Sequence, residues 1–232
     1  SGNGGFIEVS GQSAFVLDGI VDLRAAYGEL GTFLLDPRNI LIADAGVNPP
    51  TGTAPETPGD LTTVGGSVTG AGAVSATSGG NSEWVRITPT VIESYAAGNI
   101  TLEASRQIVI ASAVNRTTAG DLTLTAGLGG AAGTGNITQN TGANISVNGV
   151  LTMQTTVGAI SLGADLRATG VVLASSGNIS QTGGTIAHRT AGTELPLSAT
   201  ASGGSSTVTL TRTGNGDFAL GASSAGGDFA LA

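Results

Sequence analysis

Short stretches of alternating apolar and polar residues recur along the later half of the chain. Six of them share the phrase Gly, any residue, Ile or Leu, then Thr or Ser, and they start at Gly98, Gly120, Gly135, Gly149, Gly158 and Gly177. Because successive side chains of a strand point to opposite faces, each phrase predicts a short strand with one apolar face. The glycines predict bends between these strands.

The spacing of the phrases suggests a repeating unit. Gly98 and Gly120 lie 22 residues apart, and Gly149 and Gly170 lie 21 apart. A longer interval holds the Gly- and Ala-rich run 127–135, which we interpret as an insertion at a turn. A period near 20 residues with no helix between the strands predicts coils that stack on one another.

Up to three strand-like pieces fit within one period. Two successive sets are 150–154, 159–162 and 164–169, then 171–175, 178–181 and 185–188. The pattern therefore predicts an all-β fold, a parallel β-helix of three-sided coils of about 20 residues. About ten coils would fit the chain, a length of about 50 Å. Gly and Asn at the corners would supply the positive φ that sharp bends need. The alternative fold is an antiparallel β-sandwich or barrel, but the Asn-Gly hairpin signal is rare and the period is fixed.

Two stretches interrupt the coils. Residues 46–82 are rich in Pro, Gly and Thr and cannot pair as a central strand, so we expect a lateral excursion there, with a small hairpin near Leu61 and Val74. Pro89, a Thr90-x-x-Glu93 capping box and Gly98 predict one short helix. The predicted regions are first coils (1–45), the excursion (46–82), a re-entry strand and helix (83–98), and further coils that are incomplete at the C-terminus (99–232).

Composition narrows the function classes. The chain has 232 residues, a formal net charge of −8, no Cys, and eight basic residues that are all Arg and stand singly. Scattered Arg without Lys disfavours nucleic acid as a partner. The absence of Cys removes disulfides and thiolate chemistry, and no apolar run is long enough to insert into a membrane. Because only 3% of residues are aromatic, stability must come from backbone pairing and stacked aliphatic residues.

Candidate catalytic groups are few. Asp18 with Asp22, or Asp217 with Asp228, are the nearest to the two carboxylates that glycoside hydrolysis needs. His188 is the sole His and is interpreted as an exposed residue of a strand. The Asn and Asp residues at 214–217 and 226–228 fit turns better than calcium sites. We therefore expect no enzyme activity, no metal and no cofactor.

Five Asn-x-Ser/Thr sequons are candidate glycosylation sites: Asn99, Asn115, Asn136, Asn144 and Asn178. Four of them place Asn before Ile-Thr or Ile-Ser at the predicted start of a strand. Corner geometry alone would generate these four, so modification and structure remain alternative explanations.

The N-terminal half carries a family resemblance. It rests on Gly5-Phe-Ile-Glu-Val-Ser-Gly11, on Gly19-Ile-Val-Asp-Leu-Arg and the following Gly31-Thr-Phe-Leu-Leu-Asp-Pro-Arg-Asn-Ile40, on Ile87-Thr-Pro-Thr-Val-Ile-Glu93, on Gly98-Asn-Ile-Thr-Leu-Glu-Ala104 and on Ile108-Val-Ile110. Over residues 4–115 the chain resembles secreted adhesins of the filamentous haemagglutinin type. The resemblance implies a right-handed β-helical shaft on the outer surface of a Gram-negative bacterium. It also implies export of the parent protein through an outer-membrane two-partner-secretion transporter.

We therefore expect a structural shaft segment of a large secreted adhesin or extracellular filament that mediates attachment. Its expected partners are a cell-surface glycan or protein receptor and, through self-association, further copies in a fibre. The first alternative is a glycan- or protein-binding module formed by the 46–82 excursion. The second is a β-helical polysaccharide-active enzyme.

Overall fold

The fold is described from a computed structural model over residues 2–10, 15–17, 25, 27–28, 31–36, 39–47, 59–63, 74–76, 84–95, 98–129 and 135–232. Within these ranges the N-terminal strands are β1 (Phe6–Ser10), β2 (Phe15–Leu17), β3 (Thr32–Asp36), β4 (Asn39–Ile42), β5 (Gly59–Thr63), β6 (Val74–Ala76) and β7 (Trp84–Ile87). One helix, α1 (Pro89–Ser94), follows them.

The later strands are β8 (Asn99–Ala104), β9 (Ile108–Ile110), β10 (Val114–Ala119), β11 (Leu122–Ala126), β12 (Ile137–Gln139), β13 (Ile145–Asn148), β14 (Val150–Thr155), β15 (Ile160–Leu162), β16 (Leu166–Ala168), β17 (Gly170–Ser175), β18 (Ile179–Gln181), β19 (Ile186–His188), β20 (Leu195–Ala201), β21 (Val208–Leu210), β22 (Phe218–Leu220), β23 (Ser224–Ala225) and β24 (Phe229–Leu231). The two sets of three strands predicted between 150 and 188 correspond to β14–β16 and β17–β19.

The strands form three sheets. Sheet 1 has the order β1-β3-β8-β11-β14-β17-β20-β22, with β23 also paired to β20. Sheet 2 has the order β2-β6-β5-β7-β4-β9-β12-β15-β18-β21-β24, and sheet 3 has the order β10-β13-β16-β19. From β8 to β21 the chain visits the three sheets in turn, and each strand from β8 to β18 pairs in parallel with the strand three positions later. This topology confirms the predicted three-sided parallel β-helix.

Coil length varies more among the described residues than the sequence predicts. Paired residues of successive coils lie 19 residues apart between Ile160 and Ile179 but 31 apart between Val114 and Ile145. Insertions enter at corners, as predicted for 127–135: Gly127 and Gly135 approach closely between β11 and β12. Within the described ranges the pairing path of sheet 1 holds eight strands, which corresponds to a stack of about 34 Å.

The two described strands of the 46–82 excursion, β5 and β6, belong to sheet 2. β7 pairs in parallel with β4 and with β5, and β5 pairs antiparallel with β6, so that Thr63 faces Val74. The hairpin expected near Leu61 and Val74 is therefore present, but it extends a sheet of the β-helix rather than standing apart from it. Gly46 and Val47 are also described, and the remaining residues of the excursion lie outside the described residues.

The predicted helix is confirmed as α1, and so is its Pro in the first turn, but the predicted capping box and terminal Gly are wrong. Pro89 occupies the first turn and the N-cap is Thr88, whose side chain makes no capping hydrogen bond. Glu93, expected in a capping box with Thr90, instead accepts a hydrogen bond from the backbone N–H of Asn115 on β10 at 2.7 Å. The helix ends at Ser94, and its C-cap is Tyr95, three residues before the expected Gly98. α1 thus packs against the first strand of sheet 3.

The core consists of columns of inward-facing aliphatic side chains. One column of sheet 2 contains Ile40, Ile108, Ile137, Ile160, Ile179 and Val208, all buried. Full burial of such a side chain stabilises the fold by roughly 1.5–3 kcal/mol. Each column residue packs against its equivalents in the coils before and after it, so the coil-to-coil contact is the unit of stability.

Candidate functional site

The glycines of the repeated phrase stack at two corners of the coils. A Cβ on Gly177 would lie 2.7 Å from the carbonyl oxygen of Gly158, and one on Gly149 would overlap the Gly120 carbonyl. Of the six phrase glycines, Gly120 alone has a positive φ, 126°. The phrase therefore requires Gly chiefly because the backbones of successive coils approach closely at the corners.

Seven Asn and Asp side chains link each coil to the next in the same way. Each stands at or immediately before the start of a strand, and its Oδ1 accepts a hydrogen bond from a backbone N–H one coil later. The donor–acceptor distances are 2.8–3.1 Å for six of them and 3.4 Å for Asn39. We call this set the Asx ladder: Asn39, Asn99, Asp121, Asn136, Asn144, Asp165 and Asn178.

The Asx ladder corrects the expected role of Asn at the corners. Every positive φ among the described residues belongs to Gly, so the prediction that Asn supplies this conformation is wrong. The Asn and Asp side chains instead satisfy backbone N–H groups where the strand ladder begins. All seven point from one coil toward the following coil, so this contact gives the stack a direction.

A buried arginine closes the corner between β10 and β11. Arg116 is fully buried and donates to the carbonyl of Gly120 at 2.6 Å, to that of Ala119 at 3.2 Å, and to that of Gly98. Burial lowers the pKa of the Arg116 guanidinium from its ordinary value, whereas Tyr95 and Asp121 raise it. An arginine nonetheless stays protonated in proteins, so this cation ties two successive coils together beneath α1.

The outer face of sheet 2 changes character along the stack. Its outward column reads Leu41, Val109, Thr138, Ser161, Ser180 and Thr209. Leu41 and Val109 are buried in a second cluster with Trp84. The guanidinium of Arg86 donates to the carbonyl of Val47 at 2.7 Å and holds the start of the excursion there. The hydroxyl residues of the column begin with Thr138, directly after Val109, the last residue of the column that belongs to this buried cluster.

The five sequons fall into two structural classes. Asn99, Asn136, Asn144 and Asn178 belong to the Asx ladder, so the coil contacts account for these positions. Asn115 differs, because its side chain is exposed on β10. Glycosylation of any of the five stays a prediction.

Among the described residues, the candidate catalytic carboxylates and His188 do not form a common site. Asp18 and Asp22 lie outside the described residues. Asp217 and Asp228 are exposed and precede β22 in sheet 1 and β24 in sheet 2. The Nδ1 atom of His188 accepts a hydrogen bond from the backbone N–H of Thr190 at 2.9 Å, which places the ring in a local turn.

The side chain of Asn215 holds the segment 214–217, which precedes β22. Asn215 accepts from the N–H of Ile186 at 2.9 Å and donates to Gln181 at 3.0 Å. Among the described residues no group of three or more His, Cys, Asp or Glu side chains is placed to hold a metal ion. In the same part of the chain, no helix has the length and apolar character to cross a membrane.

No family model, no curated protein and no solved structure matches this chain. The assignment of function therefore depends on the contacts above and on the resemblance in the N-terminal half.

Sequence reasoning missed two features that organise the site, the buried Arg116 and the outward apolar pair Leu41 and Val109. Arg116 was interpreted only as one of the scattered charges, although the alternation of β10 places it on the inward face with Val114. The outward Leu41 and Val109 break the usual alternation of a solvated strand, and that break indicates a covering layer. Both signals are visible in the sequence once the strand register is known.

Proposed function

We propose that the chain is a structural shaft segment of a large secreted bacterial surface adhesin or extracellular filament. The observation that carries the proposal is the continuous coil-to-coil register, in which inward columns, corner glycines and the Asx ladder all repeat from coil to coil. In such a solenoid each coil contacts only its neighbours, so length is added without altering the cross-section. This property suits a spacer that holds a binding region away from a surface.

The resemblance to adhesins of the filamentous haemagglutinin type supports a location on the outer surface of a Gram-negative bacterium. In this proposal an outer-membrane two-partner-secretion transporter exports the parent protein. A cell-surface glycan or protein is its receptor, and association of copies into fibres is a further route to attachment. The absence of Cys is compatible with export of an unfolded chain that folds outside the cell.

A binding and display experiment tests the shaft proposal. The labelled chain is incubated with host cells and a glycan array, and it is separately displayed between a membrane anchor and a known binding domain. A shaft shows no saturable binding of its own, and removing one coil, residues 163–182, changes the reach of the displayed domain without changing its affinity. Saturable binding by the isolated chain would instead favour a binding module, and polysaccharide cleavage would favour an enzyme.

The excursion is the second candidate, as a glycan- or protein-binding module. The antiparallel pairing of β5 and β6 holds Thr63 opposite Val74, so both ends of segment 64–73 are fixed at one place on sheet 2. Binding residues are often carried on a rigid scaffold of this kind. Replacing 64–73 by Asn-Gly keeps the strand pairing through a two-residue turn. Loss of adhesion with unchanged thermal stability would support this candidate, and unchanged adhesion would eliminate it.

A further inference from the structure

The outer face of sheet 3 carries one column of residues that runs along the stack. It reads Asn115, Ser146, Arg167 and Ala187, one residue from each of β10, β13, β16 and β19. The residues on either side of Ser146 are buried, so the column faces outward. Arg167 is exposed, and it makes no hydrogen bond or ion pair with any described residue. Within the described part of the chain its N–H donors are therefore available to a ligand.

Arg189 brings a second guanidinium onto the same face. It follows β19, and its backbone N–H donates to the carbonyl of Ala168 on β16 at 2.9 Å. Its Nη1 atom donates to the hydroxyl of Ser146 at 2.9 Å and to the carbonyl of Arg116 on β10 at 3.3 Å. Because β16 lies between β19 and β13, the side chain of Arg189 crosses β16, the strand that carries Arg167. The stack thus brings together two arginines that stand singly in the sequence.

The contacts of Arg189 position its guanidinium and leave part of it available. Both side-chain hydrogen bonds use Nη1, whereas Nη2 and Nε have no partner among the described residues. The two bonds join residues 43 and 73 positions apart in the chain, so the fold itself orders this side chain. A group that is already ordered loses less conformational entropy when it binds a ligand.

No described carboxylate balances this pair of charges. The chain has 16 acidic and 8 basic residues, yet neither Arg167 nor Arg189 forms an ion pair with a described residue. Glu93, which reaches sheet 3 from α1, accepts a hydrogen bond from the backbone N–H of Asn115. Like charges placed side by side are destabilising. An anion bound between the two guanidinium groups would relieve this repulsion.

We propose that Arg167, Arg189 and Ser146 form a binding site for a dianionic phosphate group, which we call the arginine site. The planar fork of each guanidinium matches two phosphate oxygens. The Ser146 hydroxyl accepts from Arg189 and keeps its own O–H to donate to the phosphate. Two adjacent cations favour a dianion over a carboxylate with a single charge, and a phosphate monoester carries a charge of about −1.5 to −2 at neutral pH.

The arginine site goes beyond the shaft function and does not depend on it. A few charge-assisted hydrogen bonds at a surface are expected to give a Kd of about 1 mM for one phosphate group. Such a contact does not saturate at the low concentrations of labelled chain used on cells or glycans, so the result expected there for a shaft is unchanged. Failure of the arginine site would leave the shaft proposal intact, and the reverse also holds.

Titration of the full chain with sodium phosphate at constant ionic strength, followed by NMR, tests the arginine site. At a pH of about 7.5 the backbone amide of Ser146 and the Nε–H signals of the two arginines are expected to shift and saturate. Arg167→Gln, at a side chain with no described partner, is expected to weaken binding at least about fivefold without changing Tm. Arg189→Lys keeps the charge but loses the fork, and is expected to weaken binding as well. The matched control Arg212→Gln removes an exposed arginine that bonds to Thr182, and is expected to leave phosphate affinity unchanged.

Comparison of phosphate with sulfate separates titration of the ligand from titration of the protein. Lowering the pH from about 7.5 to about 5.5 converts phosphate from the dianion to the monoanion, whereas sulfate stays a dianion. The titratable side chains on the elements around the site are Glu93 of α1, Asp165 before β16, His188 of β19 and Glu194 after it. Their titration would change the binding of both anions alike. The ratio of phosphate affinity to sulfate affinity is therefore expected to fall severalfold at the lower pH.

Two further probes distinguish the sources of a phosphate group. Sedimentation with phosphatidylcholine vesicles that contain phosphatidic acid, abolished by Arg167→Gln, would assign a lipid headgroup. Binding of glycerol phosphate without such sedimentation would assign a soluble phosphate ester, and binding of inorganic phosphate alone would assign the free ion. Three results would overturn the proposal: no saturable shift with phosphate, acetate bound as tightly as phosphate, or equal effects of Arg167→Gln and Arg212→Gln on phosphate affinity.

Discussion

Substituting Gly177 by Ala tests whether the coils are held at their observed spacing by contacts at the corners. The new Cβ would lie 2.7 Å from the Gly158 oxygen, 3.0 Å from its carbonyl carbon and 3.3 Å from the nitrogen of Ala159. Ordinary contact distances are about 3.5 Å or more, so the two backbones must separate by roughly 0.7 Å. The Gly158 carbonyl cannot shift freely, because it accepts hydrogen bonds from Thr155 and Ser175 at 2.8 and 2.6 Å.

The free energy of unfolding is expected to fall by about 2 kcal/mol, within the range for overpacked sites. For a chain of this size that corresponds to a loss of about 4–8 °C in Tm. Gly158→Ala is expected to cost more, because its nearest atoms, in Gly135 and Asn136, are closer still. Gly204 has no atom within 4 Å of a built Cβ, and its φ is not positive, so Gly204→Ala is the matched control. Urea unfolding followed by circular dichroism measures all three, and equal stability of Gly177→Ala and Gly204→Ala would refute the corner argument.

Three further substitutions test the remaining contacts. Asn136→Ala removes the acceptor for Ala159 N–H and is expected to lower the free energy of unfolding in urea by about 1 kcal/mol. The control Asn115→Ala, at an exposed residue, is expected to change it by less than about 0.5 kcal/mol. Similar values for the two variants would contradict the Asx ladder. Arg116→Met removes the guanidinium donor from the carbonyls of Gly98, Ala119 and Gly120 and is expected to cost about 3 kcal/mol, against a negligible effect of the exposed Arg212→Met. Arg86→Ala removes the hydrogen bond to the Val47 carbonyl and is expected to raise acrylamide quenching of the buried Trp84. An unchanged quenching constant would show that this contact does not keep Trp84 buried.

The strands and their stacking could be predicted from the sequence because both leave a local pattern. The period-2 alternation at 150–154 and 159–162 marks β14 and β15 to within one residue. The recurrence of Gly before Ile or Leu follows from two corners at which the backbone comes close to itself once per coil. Coil length was less predictable, since insertions such as 127–135 enter at corners without disturbing any strand.

The sheet pairing of the excursion and the buried cation could not be predicted because they depend on contacts between distant residues. β7 lies beside β4 although 42 residues separate Ile42 from Trp84, and nothing in the local sequence of either strand selects that partner. Arg116 has the same local pattern as an outward residue until the inward register of Val114 is known. The corner Asn residues were located correctly, but their role was wrong because a hydrogen bond to the next coil leaves no mark on the backbone dihedrals.

This separation of inward and outward positions bears on how a shaft could also bind a partner. Stability resides in the inward columns, the corner glycines and the Asx ladder, so outward residues such as Ser161 and Ser180 contribute little to it. Substitutions on the outer faces of the three sheets can therefore change what the surface contacts without changing the stack, as surface substitutions away from buried contacts usually do. A binding site on an outer face and a shaft function are thus compatible in one chain. In the described part of the stack, the interior is filled by the side chains of the inward columns, which leaves the outer faces as the place for such a site.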